Sequence, residues 1–248
     1  HYDCNGIAIV SQIAKLHLMS TRLTMICAGA TVSARKARFP LDEPLEARAI
    51  ALAKELRPRL RRADQVWSSP ALRAKQTAAA LALEPAVVPI LQDLDFAQWS
   101  GKPIADVSSE DPNGMAAWLS DPTSSPHGGE SLADASSRAS SFMTQLLTER
   151  GHMVVVTHAA FVRAAILLIL EAPLQAAWRL DVEPLSITDS VAMADGGCCD
   201  LFGRGRGVAV ALGTGSEVLR RIAMPMQDRR QQRPLAGFNM LTLMVKYD

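Results

Sequence analysis

The chain has no surplus of charge of either sign: 26 lysines and arginines stand against 25 aspartates and glutamates in 248 residues, a formal net charge of +1. Such a balance gives no bulk electrostatic reason to expect a nucleic-acid partner. Cysteine is sparse and unpatterned. Cys4, Cys27, Cys198 and Cys199 form no C-x-x-C pair and no Cys/His zinc motif. A bridge between the adjacent Cys198 and Cys199 would be strained, so free thiols in a reducing, cytoplasmic setting are expected. No apolar run approaches the ~20 residues that a membrane-spanning helix requires. The longest, Phe161 to Leu170, is interrupted by Arg163 and reads as a buried helix. Residues 1–18 lack the charged start and small-residue cleavage site of a secretory signal. They are expected to be an extension outside the domain, with Met19 as a natural beginning.

What is present is apolar bulk, 48% of residues, enough to bury a substantial core. Leu23 to Cys27 is a short apolar run leading into Ala28-Gly29-Ala30-Thr31, which predicts a strand ending in a loop. The stretch 45–63 predicts a helix with Leu45, Ala49, Leu52 and Leu56 on one face. Asp64 to Ser68 predicts a strand, and Ser69-Pro70 the start of a helix, because proline at the first helical position loses no hydrogen bond. Val87 to Leu91 predicts another strand. Residues 93–129, punctuated by four prolines, predict loops with one short helix around Met115 to Leu119. A helix over 131–150 then meets His152-Met153-Val154-Val155-Val156-Thr157-His158, the clearest buried strand, followed by a helix over Ala160 to Leu170. This alternation predicts an α/β fold: a doubly wound, mostly parallel sheet with helices on both faces, over residues 19–195. Residues 196–248 are glycine- and arginine-rich, with eight basic against four acidic residues, and predict one last strand at Val208 to Leu212 and then flexible chain.

In a parallel sheet, ligands gather at the carboxyl ends of the strands, where helix N-termini offer free N–H groups to anions. Three segments place polar residues there: Cys27-Ala28-Gly29, Ser68-Ser69 with Arg73 one turn on, and Thr157-His158. Arg73 offers a bidentate fork for a phosphate, His158 a further donor, and Asp93 a general acid. Singly, each has a plainer meaning: a solvated arginine, a structural histidine, a turn aspartate. Their order is more specific. Cys27-Ala28-Gly29, Ser68-Ser69-x3-Arg73-x2-Gln76-Thr77, Asp93 with Phe96, Trp99 and Gly101, Gly129-Glu130-Ser131 and Thr157-His158-Ala159 follow one another over residues 21–190. This succession resembles the histidine phosphatase (phosphoglycerate-mutase-like) superfamily.

The resemblance implies phosphomonoester hydrolysis or phosphoryl transfer through a phosphohistidine, with no metal or organic cofactor and a phosphorylated small molecule as ligand. It implies a substrate-binding set of Cys27, Gly29, Arg73 and Thr157, with His158 and Asp93 as catalytic residues. The nucleophile's position, however, holds Ala28, and the arginine expected before it is Cys27. Removing a nucleophile that acts as part of a unit costs orders of magnitude in rate. A lost or substituted histidine, and a naturally inactive relative that senses a phosphate ester, both fit. A Cys27 nucleophile fits less well, since a cysteine-phosphatase loop has its arginine five residues on, and here the nearest is Arg35 after seven intervening residues. A protein-interaction module using the basic tail (Arg204, Arg206, Arg220, Arg221, Arg229, Arg230 and Arg233) is the alternative of a different class.

Overall fold

The structure is a computed structural model that describes residues 20–146, 148–193 and 202–203. The expectations for residues 1–18, the strand at Val208 to Leu212, the basic tail, and Cys4, Cys198 and Cys199 therefore lie outside the described residues.

Among the described residues, six strands form one sheet in the order β3-β2-β4-β1-β5-β6: β1 Ser20–Cys27, β2 Gln65–Ser68, β3 Ala86–Val87, β4 Gly151–Thr157, β5 Ile187–Met193 and β6 Phe202–Gly203. The first four in that order run parallel, while β5 and β6 add on antiparallel. The apolar run Met153–Val156 sits centrally in β4 because it can be buried on both faces, and none of the four exceeds 1% exposure. Its even-numbered valines pack with Ile26 against Ala53, Ala74, Ala78 and Leu81, on helices α2 (Ala47–Leu56) and α3 (Leu72–Ala80) and the turn after α3. The small alanines let these helices come close. On the opposite face Phe142 of α6 (Leu132–Leu146) meets Trp67 of β2 and Phe161 of α7 (Ala159–Ile169) edge-on, with centroids 5.7 and 5.6 Å apart. The doubly wound expectation holds. Among the described residues no helix is long and apolar enough to cross a membrane.

Several element details differ from expectation. On the face expected for α2, Ala49 is buried and Leu56 packs against the core, but Leu52 is 46% exposed and Ala53 takes the inward place. Pro70 stays outside α3, whose N-cap is Ala71. The strand expected to reach Leu91 stops at Val87, because Pro89 lacks the N–H needed to continue it and opens a 3₁₀ turn, Pro89–Leu91. The four-residue helix α1 (Val32–Arg35) and helix α4 (Ile104–Glu110) were not foreseen, and α5 spans Pro112–Ser120. Segment 93–129 folds over a cluster of Phe39, Leu94, Phe96, Trp99, Val107, Met115 and Trp118, so it is a packed cap rather than open loop. Helix α6 ends at Leu146, four residues early, as the chain turns into β4 through Gly151 at φ +91°.

Candidate active site

Register brings the strand ends level. Cys27 pairs with Thr157, and Ser68 with Val156, so Ala28, Ser69 and His158 each begin the loop at the carboxyl edge of adjacent strands. Arg73 reaches the same edge from the first turn of α3. Its Nη2 donates to Asp93 Oδ2 at 2.6 Å and its Nη1 to the Leu41 carbonyl at 2.6 Å. His158 is the N-cap of α7 and only 2% exposed; its Nε2 lies 2.7 Å from Ser69 Oγ and its Nδ1 3.6 Å from Asp93 Oδ2. The last distance is an electrostatic contact, not a hydrogen bond. Ser69 Oγ also accepts from the Ala71 N–H at 3.2 Å, and in the tautomer protonated at Nδ1 its own proton goes to Nε2 while the ring N–H faces Asp93. Arg73, Asp93 and His158, which are distant in sequence, therefore converge on one point.

The backbone at the β1 loop does something else. Gly29, expected to bind the substrate, gives its N–H to Thr77 Oγ1 at 2.9 Å, while Cys27 N–H donates to Ser186 O and Ala28 N–H to Thr157 O. Thr157, expected to bind substrate, is fully buried and its hydroxyl donates to Leu91 O at 2.8 Å. Gly29 owes its identity to packing: a Cβ there would lie 3.1 Å from Leu45 Cδ2 and 3.3 Å from Ala49 Cβ. The Ala28 methyl belongs to the apolar cluster of the α2/α3 face.

The electrostatics follow from burial. Burial pushes the Cys27 thiol up to about 12, with Asp93 adding to the shift and Arg163 and Arg73 opposing it, so the sulfur is a protonated thiol at neutral pH. Burial likewise pushes His158 down to about 4, although Asp93 pulls the other way. For Asp93, burial raises the carboxyl, but His158 and Arg73 outweigh it, together with the Leu94 N–H, and hold it below its ordinary value. Asp93 is thus a carboxylate in the free chain. It can serve as an acid only if an arriving anion takes Arg73 from it and adds a like charge beside it. A cleft of about 300 Å³ opens on Arg73 and Asp93, rimmed by Leu41, Asp42, Pro70, Asp95 and Phe96.

Two residues of the site escaped the sequence reading. In the sequence Ser69 stands out only as part of a motif, yet it holds the His158 ring. Arg163 was seen only as an interruption of an apolar run. It lies one and a half turns along α7 from His158, half-buried, and donates through Nε to Leu180 O at 2.9 Å. Its charge acts on both Cys27 and Asp93. A basic residue inside an apolar helix that starts at the site was the available signal.

A family model described as "Histidine phosphatase superfamily (branch 1)" matches residues 23–202. The chain is 32% identical over 137 residues to the bifunctional protein Rv2228c of Mycobacterium tuberculosis; the match covers 53% of this chain and 38% of that protein, well under half of the relative's length. It is 29% identical over 150 residues to the adenosylcobalamin/alpha-ribazole phosphatase of Salmonella typhimurium, covering 56% of this chain and 74% of the relative. Among solved structures, a mycobacterial glucosyl-3-phosphoglycerate phosphatase complexed with VO3 superposes with a TM-score of 0.61 at 26% identity, covering 68% of this chain and 92% of the other.

Proposed function

The chain belongs to the histidine phosphatase superfamily (branch 1), and from that premise we propose that it binds phosphate esters at Arg73, Asp93 and His158 while turning them over far more slowly than an intact member would. The observation that carries this reading is the convergence of Arg73 and His158 on the Asp93 carboxylate, 2.6 and 3.6 Å away, beside a strand end where the side chain is the methyl of Ala28. In the free chain Asp93 plays the part of the anion, and a phosphate would exchange with it. The vanadate held by the mycobacterial phosphatase of similar fold supports an oxyanion ligand. The relatives' phosphatase names support the ester class.

A thiol pushed up to about 12 argues against Cys27 as the attacking group. With neither Cys27 nor Ala28 able to accept a phosphoryl group, the chain acts as a phosphate-ligand sensor, and hydrolysis returns only with a histidine at position 28.

The test is vanadate binding together with hydrolysis of an aryl phosphate. The native chain should bind vanadate and hydrolyse little. Ala28→His should raise hydrolysis by several orders of magnitude, and Arg73→Gln or His158→Gln in that background should remove the gain. Because a histidine must leave the apolar cluster around Ala28 to reach the cleft, vanadate binding by the native chain is read independently. Absence of binding in both forms contradicts the proposal. Cys27→Ser should leave binding unchanged.

A further inference from the structure

The opposite end of the sheet carries a second polar constellation that the phosphatase reading does not use. Helix α2 runs out into Arg57-Pro58-Arg59-Leu60-Arg61-Arg62, four arginines in six residues, with all four exposed. Arg59 and Arg61 lean over the amino end of β1 and, with Arg22, Thr24 and Asp189, enclose a hollow of about 20 Å³, room for one water-sized atom. Arg22 is fixed there by Asp189, whose Oδ2 accepts from Nη2 at 2.7 Å. The other carboxylate oxygen of Asp189 accepts from the Thr24 hydroxyl, so both oxygens of Asp189 are already engaged by other side chains. Arg22 Nε is buried and has no hydrogen-bond partner among the described residues. A buried N–H of a charged group is costly to leave without an acceptor.

We infer that the hollow between Arg22, Arg59 and Arg61 is a second oxyanion site, taking the phosphoryl group of free phosphate or of a small phosphomonoester. Three arginines and one carboxylate line the hollow, and an excess of two positive charges matches a phosphate dianion. One ligand oxygen fits the hollow and accepts from Arg22 Nε. The remaining oxygens stay at the mouth, where the guanidiniums of Arg59 and Arg61 present planar forks suited to them. A single water would satisfy Nε alone, whereas an oxyanion would also pair with the exposed Arg59 and Arg61. The site is separate from the cleft: Arg22 and Cys27 are five residues apart on β1, roughly 16 Å at strand rise. It therefore does not depend on the proposed catalytic chemistry.

Binding of inorganic phosphate and of phenyl phosphate, measured by calorimetry at fixed ionic strength, tests it. Arg73→Gln, which disables the cleft, should still bind one equivalent of phosphate. Arg59→Gln/Arg61→Gln, on exposed positions that do not threaten folding, should weaken that equivalent by tenfold or more. If phenyl phosphate competes, the hollow accepts an ester; if only inorganic phosphate binds, it takes the free ion; either supports the site. Full displacement by chloride at 150 mM, or unchanged stoichiometry and affinity in the double variant, overturns it.

Discussion

At the scale of single residues, the candidate site is a set of buried polar side chains that satisfy one another. The convergence of Arg73, Asp93 and His158 was legible in the order of their motifs along the chain. The use of the β1 amides was not legible. Whether Gly29 N–H meets a ligand or Thr77 Oγ1 depends on how α3 lies against β1, a separation of 48 residues. Thr77 is fully buried, accepts from Gly29 N–H and donates to Arg73 O at 2.7 Å. Thr77→Val keeps the volume but strands the Gly29 donor. It should lower unfolding free energy by about 1–3 kcal/mol in urea titrations, and a loss below a few tenths would mean that the amide finds another acceptor. Arg163 acts electrostatically on the Cys27 thiol, more strongly than Arg73 does, and its Nε donates to Leu180 O. Arg163→Gln should weaken vanadate binding by roughly tenfold, the scale of one charge-assisted hydrogen bond. Equal affinity in the variant would reduce Arg163 to its bond with Leu180 O.

At the scale of elements, strands were read better than helices. The β4 run announced itself through consecutive valines, whereas in α2 the expected face held at Ala49 and Leu56 but not at Leu52. The contacts with Ile26 and Val154 instead select alanines, which permit close helix-on-sheet approach. Helix α4, following Pro103, carries a single fully buried side chain, Val107, too weak a stripe to show a period. The Gly129-Glu130-Ser131 motif also gains a structural meaning. Ser131 and Asp134 cap α6 reciprocally, Glu130 pairs with Arg138 at 2.6 Å, and Glu130 N–H donates to Asp95 O at 2.9 Å. Gly129 must be bare because a Cβ there would sit 2.1 Å from that same carbonyl. Gly129→Ala should therefore pry the cap segment away from the cleft rim and cost about 2–4 kcal/mol. Gly128→Ala offers the contrast: its Cβ meets nothing nearer than 3.6 Å, and only its φ of +78° resists, so its cost should stay near 1 kcal/mol. Thermal unfolding of the pair checks this, and equal shifts would show that backbone conformation, not contact with Asp95, limits the turn.

At the scale of the whole molecule, the balance at His158 sets how stability depends on pH, and two effects of opposite sign compete there. If the contact with Asp93 dominated, the folded imidazole would titrate above its unfolded value of about 6.5, and acidification through that value would stabilise the fold. Burial dominates instead and brings the folded value to about 4. Between roughly pH 6.5 and 4 the unfolded chain then holds a proton that the folded chain refuses, so stability falls as pH falls, with a slope approaching 1.4 kcal/mol per pH unit from this one group. Below that window Asp93 continues the trend: its depressed folded value gives stability that is present above about 3.9 and lost as the carboxylate is finally protonated. Urea unfolding at pH 7, 6 and 5 should show a loss of about 2 kcal/mol over the range, and His158→Gln should remove most of it. A stability that is flat, or that rises on acidification, would mean that the ion pair prevails over desolvation. The same balance shapes ligand binding. A phosphate dianion beside the neutral ring would raise its affinity for a proton, so vanadate binding near pH 6 should take up protons from the buffer, read as a buffer-dependent heat in calorimetry, and the uptake should vanish in His158→Gln.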